Sequence, residues 1–214
     1  MKHEEKVKYI IFSTYVFILM MILFVLAAEF NSDFKAFLVG NVIPELIGIC
    51  IEILVIIWFF ENWQRNKESQ KTIVYEKRLR EYLIFFLKYG LVGLPESLKI
   101  GNFFGNSHTE NKKEIKAIID YLNQNEIDID LLKKFKYHLK IDKTAFENLL
   151  EVAALLSDEH FKSWIRIVYF INKLDKLHGN DKKEHKVNIM LILREINRFD
   201  KASNEHQIYV GSNI

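Results

Sequence analysis

Two stretches almost without charge constrain this chain more than any other feature. Residues 9–28 carry no charge at all, and between Phe37 and Phe60 the only charges are Glu45 and Glu52. A hydrocarbon core ~30 Å thick takes about 20 helical residues at ~1.5 Å each, so both stretches are long enough to cross a bilayer. That excludes a plain soluble globule. A sequence of 214 residues, 50% hydrophobic, leaves room for one modest domain beside such an anchor. The single cysteine, Cys50, lies inside the second stretch, so no disulfide forms within the chain and nothing points to an oxidising compartment.

The first stretch has the basic approach of a secretory signal in Lys2, Lys6 and Lys8, and Ala27-Ala28 mimics a cleavage site. Signal h-regions run about 7 to 15 residues, however, and this one is longer. An uncleaved transmembrane helix is therefore expected over 9–28. The second is expected over 42–60, with Asn41 as N-cap and Pro44 in the first turn, where its missing N–H does little harm. Lys2, Lys6 and Lys8 flank one end of the pair, and Arg65, Lys67 and Lys71 flank the other. The outer loop over 29–41 has only Lys35 against Glu29 and Asp33. Both termini are accordingly expected in the cytoplasm, with residues 1–8 as a short tail, and Tyr9, Tyr15, Trp58 and Trp63 form an aromatic belt on that face.

Within the second span, Pro44, Glu45, Gly48 and Glu52 fall at i, i+1, i+4 and i+8, towards one side of a helix. Glu45 lies within a turn of the outer interface, but Glu52 belongs near the midplane, where a charged carboxylate costs at least ~2.5 kcal/mol. One reading has Glu52 neutral and hydrogen-bonded across a close helix contact at Gly48. The other has several copies assembled with Glu52 facing a shared, partly wet interior that conducts or gates cations. Both predict a homo-oligomer joined through this span. The basic residues Arg65, Lys67 and Lys71 are read as the positive-inside signal ahead of specific lipid recognition.

Beyond the membrane an all-α domain is expected. No Gly or Pro occurs over 61–89, which predicts a long juxtamembrane helix with a seam of Tyr75, Leu79, Tyr82, Phe86 and Tyr89, widened by Leu83, Ile84 and Phe85 into a broader face that packs on the rest of the domain or, alternatively, extends an oligomeric stalk as a parallel bundle. Residues 90–111 read as a loop holding Gly90, Gly93, Gly101, Gly105 and Pro95, without the spacing of a phosphate-binding loop, in which Phe103 and Phe104 dock on the domain, the commoner case, or face a ligand or partner. A helical bundle is expected over 112–200: helices at 112–124 (Ile115, Ile118, Ile119, Leu122) and 130–140 (Leu131, Leu132, Phe135, Leu139), then one opened by a Thr144–Glu147 capping box and ending near Leu156. A fourth is capped by Ser157 with a stripe of Phe161, Trp164, Ile165, Val168 and Ile171, and stops at His178-Gly179. A last one covers 181–199 with Val187, Met190, Leu191 and Arg194, and the tail over 201–214 is expected to fray.

The seven histidines, among them His3, His108, His138, His160, His178, His185 and His206, make no metal-binding or catalytic spacing. Asp128 with Asp130 reads as helix capping, and His178 with Asp181 and His185 as a helix end, ahead of metal ligation. No nucleophile elbow or kinase signature occurs. No catalytic residue, metal or cofactor is therefore assigned, and a non-enzymatic protein is expected. With 30 basic and 28 acidic residues interleaved, no specific nucleic-acid partner is expected either.

The layout of two spans, a small outer loop and a cytoplasmic helical domain, with the second span reading Asn41-Val42-Ile43-Pro44-Glu45-Leu46-Ile47-Gly48-Ile49, resembles the two-span membrane effectors of bacterial anti-phage systems of the retron and abortive-infection type. The resemblance implies an oligomeric protein of the bacterial inner membrane. Its cytoplasmic domain or a protein partner would hold it quiet until infection, after which it would depolarise or permeabilise the bilayer. The competing reading is a non-enzymatic scaffold or a ligand sensor, in which the spans merely tether the domain to the membrane so that it binds a cytoplasmic partner.

Overall fold

The computed structural model describes residues 12–13, 15–17, 19–24, 36–100, 103, 105, 107–177 and 182–209. The basic N-terminal residues, the outer-loop charges, Phe104, His178, Gly179 and Asp181 lie outside them. Among the described residues every regular element is helical, as expected. The chain divides into two compact units, Met1–Asn66 and Lys67–Ile214.

Tyr15–Phe24, in the first unit, is a short apolar helix, and Gly40–Gly90, whose residues belong to both units, is the one helix among the described residues long and apolar enough to cross a membrane. It opens as a π turn, Leu38–Val42, and continues as α1, Ile43–Phe85. Asn41 is thus no N-cap: it sits inside the π turn, and the helix begins before it. Pro44 supplies the physical reason for the wide turn, since it has no N–H to give to the carbonyl four residues back and its ring crowds that carbonyl. Ile51, Leu54, Val55, Ile56, Trp58 and Phe59 are all exposed, as are Glu45 and Glu52.

α1 remains helical through the juxtamembrane segment as far as Phe85, and a second π turn, Phe86–Gly90, follows. Of the expected face, Leu79, Leu83 and Phe86 are buried, joined by Leu87 and Gly90, and Tyr75 and Ile84 are half-buried, whereas Tyr82, Phe85 and Tyr89 are exposed. The buried stripe also includes two charged residues, Glu76 and Arg80.

The loop is shorter than the sequence suggested. It holds a 3-10 turn, Glu96–Leu98, and ends at Ser107, which caps α2, His108–Gln124. Ser107 Oγ accepts from the Glu110 amide at 3.4 Å, and the Glu110 carboxylate accepts from the Ser107 amide at 2.7 Å. Ser107 Oγ also donates to that carboxylate at 2.9 Å, and the two bonds the carboxylate accepts, from the Ser107 amide first and then the hydroxyl, hold the Glu110 carboxyl below its usual range. α3, Ile129–Asn148, is capped by Asp128 and runs straight through Thr144, so the second capping box does not exist. Glu147 instead accepts a hydrogen bond from Asn172 Nδ2 at 2.9 Å. A short α4, Leu150–Ala154, leads to Ser157 and α5, Asp158–Lys176, where Trp164, Val168 and Ile171 are buried, Phe161 is half-buried and Ile165 points outward.

α6, Lys182–Glu205, extends past the expected end: Ala202 and Ser203 are buried, so the predicted fraying at 201 does not occur. Val187 and Arg194 are exposed on it, and its core face is Ile189, Ile192, Leu193, Ile196 and Phe199. In this unit α6 packs on both α5 and α2, and α3 packs on α5 and on the π turn Phe86–Gly90. Aromatic rings tie the layers together, with Phe86 against Phe135 at 5.3 Å, Phe146 stacked on Trp164 at 5.2 Å, and Trp164 against Phe199 at 5.9 Å.

Candidate functional site

The residues singled out in the sequence do not converge. Pro44, Glu45, Gly48 and Glu52 occupy the start of α1, and neither Glu45 nor Glu52 has an ion-pair or hydrogen-bond partner among the described residues. Arg65 pairs loosely with Glu61 at 3.7 Å, and Lys67 and Lys71 are exposed. Among the described residues no group of His, Cys, Asp or Glu is placed to hold a metal ion.

The polar constellation lies elsewhere, in the interior of the second unit. Arg80 has no exposed surface. Its Nε and Nη2 both lie 2.7 Å from Glu76 Oε1, one turn earlier on α1. Its Nη1 donates to Asp200 Oδ1 on α6 at 2.6 Å, across 120 residues of sequence. Asp200 is shared further: Asn111 Nδ2 donates to Oδ1 at 3.0 Å, and His108 Nδ1 meets Oδ2 at 2.6 Å. Asn111 also binds the Phe103 carbonyl at 3.2 Å, fixing the loop to α2. The Tyr209 ring lies 3.7 Å from the Arg80 guanidinium carbon and the Phe103 ring 5.1 Å from it, so the cation meets two aromatic rings as well as its anions. Burial pushes the Tyr209 hydroxyl up to about 12, against the pull of Arg80.

A hydrogen-bonded chain extends from the other side of Glu76. Ser203 Oγ donates to Glu76 Oε1 at 2.7 Å, closer than its alternative acceptor, the Phe199 carbonyl, at 3.3 Å. His160 Nε2 lies 3.0 Å from that hydroxyl, and Ser157 Oγ lies 2.8 Å from His160 Nδ1. With the Ser203 proton committed to Glu76, its oxygen accepts from Nε2, and Nδ1 then accepts from Ser157. Donors and acceptors match when His160 is neutral. Burial, then the neighbouring His206 and Arg80, push its pKa down to about 4, which agrees. Ser203 is fully buried and presents no oxygen to a substrate.

Formally the centre holds two carboxylates against one guanidinium, and His108, its side chain 16% exposed, brings the second positive charge when protonated. Such a cluster is rigid when complete and costly when any member is removed. It holds α1, α2 and α6 in one register.

Sequence reading missed this centre and treated His108 and His160 as scattered. One signal was present: Glu76 and Arg80 fall on the same stripe as Leu79, Leu83 and Phe86, so two charges interrupt a face that is otherwise apolar.

No protein-family model, curated protein or solved structure matches this chain.

Proposed function

We propose that this chain is an oligomeric effector of the bacterial inner membrane, with two spans and both termini cytoplasmic, whose helical unit restrains the membrane segment until triggered, in anti-phage defence. The observation that carries the reading is the course of α1, which runs without interruption from the Glu45–Glu52 segment to Glu76 and Arg80. The apolar, exposed side chains of its first half need a lipid or protein partner, and Glu52 among them needs a polar one. Further along the same helix, Arg80 is gripped by Asp200 and Glu76. Breaking that grip frees α1 from α6. A cytoplasmic protein partner that competes for Asp200 or displaces Tyr209 is the trigger this arrangement suits. The released helices then change how Glu52 is packed or hydrated, and the bilayer leaks.

The test is membrane potential in cells carrying the protein, before and after phage challenge, at matched membrane levels. The unaltered chain is expected to depolarise the cells after challenge. Glu52→Leu is expected to remain silent, and Asp200→Asn to depolarise without challenge. A potential that never changes with the unaltered chain overturns the reading, and the helical unit then serves as a tethered scaffold.

A further inference from the structure

A second feature of the helical unit is a groove of about 360 Å³ where α2 and α6 run together. Lys112 and Lys116 line it from α2, and Arg194 and Arg198 line it from α6. Each pair is spaced i, i+4, so both cationic heads rise on the same face of their helix. All four are exposed, over a floor that includes buried Ile115 and half-buried Ile119. No carboxylate lines the groove, in a chain whose formal charge is only +2. Arg198 has an anion, Glu195 Oε1 at 2.6 Å. Lys112, Lys116 and Arg194 have no ion-pair partner among the described residues. The side-chain oxygen of Asn197, which also borders the groove, is buried without a hydrogen-bond partner.

Two helices thus bring together four like charges, three of them without an ion-pair partner among the described residues, around a recess within the size range of small-ligand sites. A single carboxylate satisfies one or two of them; adjacent phosphates satisfy all. We infer that the α2–α6 groove binds a ligand carrying two neighbouring phosphate groups, either a soluble polyphosphate such as a nucleoside di- or triphosphate or the head group of a diphosphate lipid. α2 also carries His108 and Asn111, and α6 carries Asp200, so a ligand bridging these helices tightens the clamp on Arg80. That consequence rests on the restraint proposed above, whereas binding itself does not.

The experiment is calorimetric titration of pyrophosphate into the full chain in phosphatidylcholine nanodiscs, repeated with cardiolipin in the nanodiscs. One pyrophosphate per chain is expected, weakened at least tenfold in Lys116→Gln/Arg194→Gln. Lys133→Gln/Lys134→Gln, the same charge change at exposed positions of α3, is expected to bind like the unaltered chain. Cardiolipin that blocks pyrophosphate through the same residues identifies the lipid source; cardiolipin without effect identifies the soluble one. Absence of binding to both, or an equal loss in both double variants, overturns the inference. Membrane potential is read separately, so failure of the effector reading leaves the titration unaffected.

Discussion

Asp200→Ala would strip the Arg80 guanidinium of its Nη1 acceptor where neither residue has exposed surface. Removing one member of a buried pair strands the other, at roughly 3–5 kcal/mol. Urea unfolding of Asp200→Ala should therefore show a loss of that size, and a loss under about 1 kcal/mol would mean the cluster is not closed to solvent. His160 gives a second measurable consequence. Its folded pKa of about 4 lies below the ordinary 6.5, so between those values the unfolded chain binds the extra proton and the folded one does not. Stability is then fullest above about pH 6.5 and falls as the pH drops towards 4, by roughly 3 kcal/mol when complete. Melting midpoints of the unaltered chain and His160→Gln, compared at pH 7 and pH 4.5, test this. The acid-induced drop should be clearly shallower in the variant, and equal drops would assign the effect to other groups.

At the scale of elements, Gly93 shows how the turn region is fixed against α3. A Cβ there would sit 2.8 Å from Leu131 Cδ1 and 3.1 Å from Leu131 Cα. The methyl end of Leu131 can move, but its backbone belongs to α3 and cannot. Gly93→Ala is expected to destabilise the helical unit by about 1–3 kcal/mol, read as a lowered melting midpoint. An unchanged midpoint would show that the turn shifts freely. The sequence signals at this scale were uneven for identifiable reasons. Ser157 and Asp128 were legible as caps because each precedes an apolar helical pattern. Ser107–Glu110 has the same Ser-x-x-Glu form but follows a glycine-rich run that pulled the predicted start to Lys112. Thr144–Glu147 has the matching form inside a helix, where continuous backbone hydrogen bonds leave no orphan amide to cap. The end of α6 was misplaced because what holds Ser203 in register is Glu76 on α1, and no local pattern encodes a contact between residues 127 apart in sequence.

For the whole molecule, a helix long and apolar enough to cross a membrane was legible in the sequence, because length and absence of charge suffice to mark one. What that helix meets was not, because Glu52 finds no partner among the described residues. Gly48 separates these possibilities. A Cβ built there meets nothing within 4 Å among the described residues, so Gly48→Leu is expected to leave the fold of a single copy intact. If copies pack through the face shared by Gly48 and Glu52, however, the added side chain holds the helices apart. Native mass spectrometry of the full chain in nanodiscs is expected to show oligomers for the unaltered protein and a shift to smaller species for Gly48→Leu, with the melting midpoint of the helical unit unchanged. An identical distribution would place the contact on another face of α1. A protein that is monomeric in both forms would leave Glu52 to be satisfied by lipid head groups or water, and that would remove the shared carboxyl-lined interior that the proposed conduction requires.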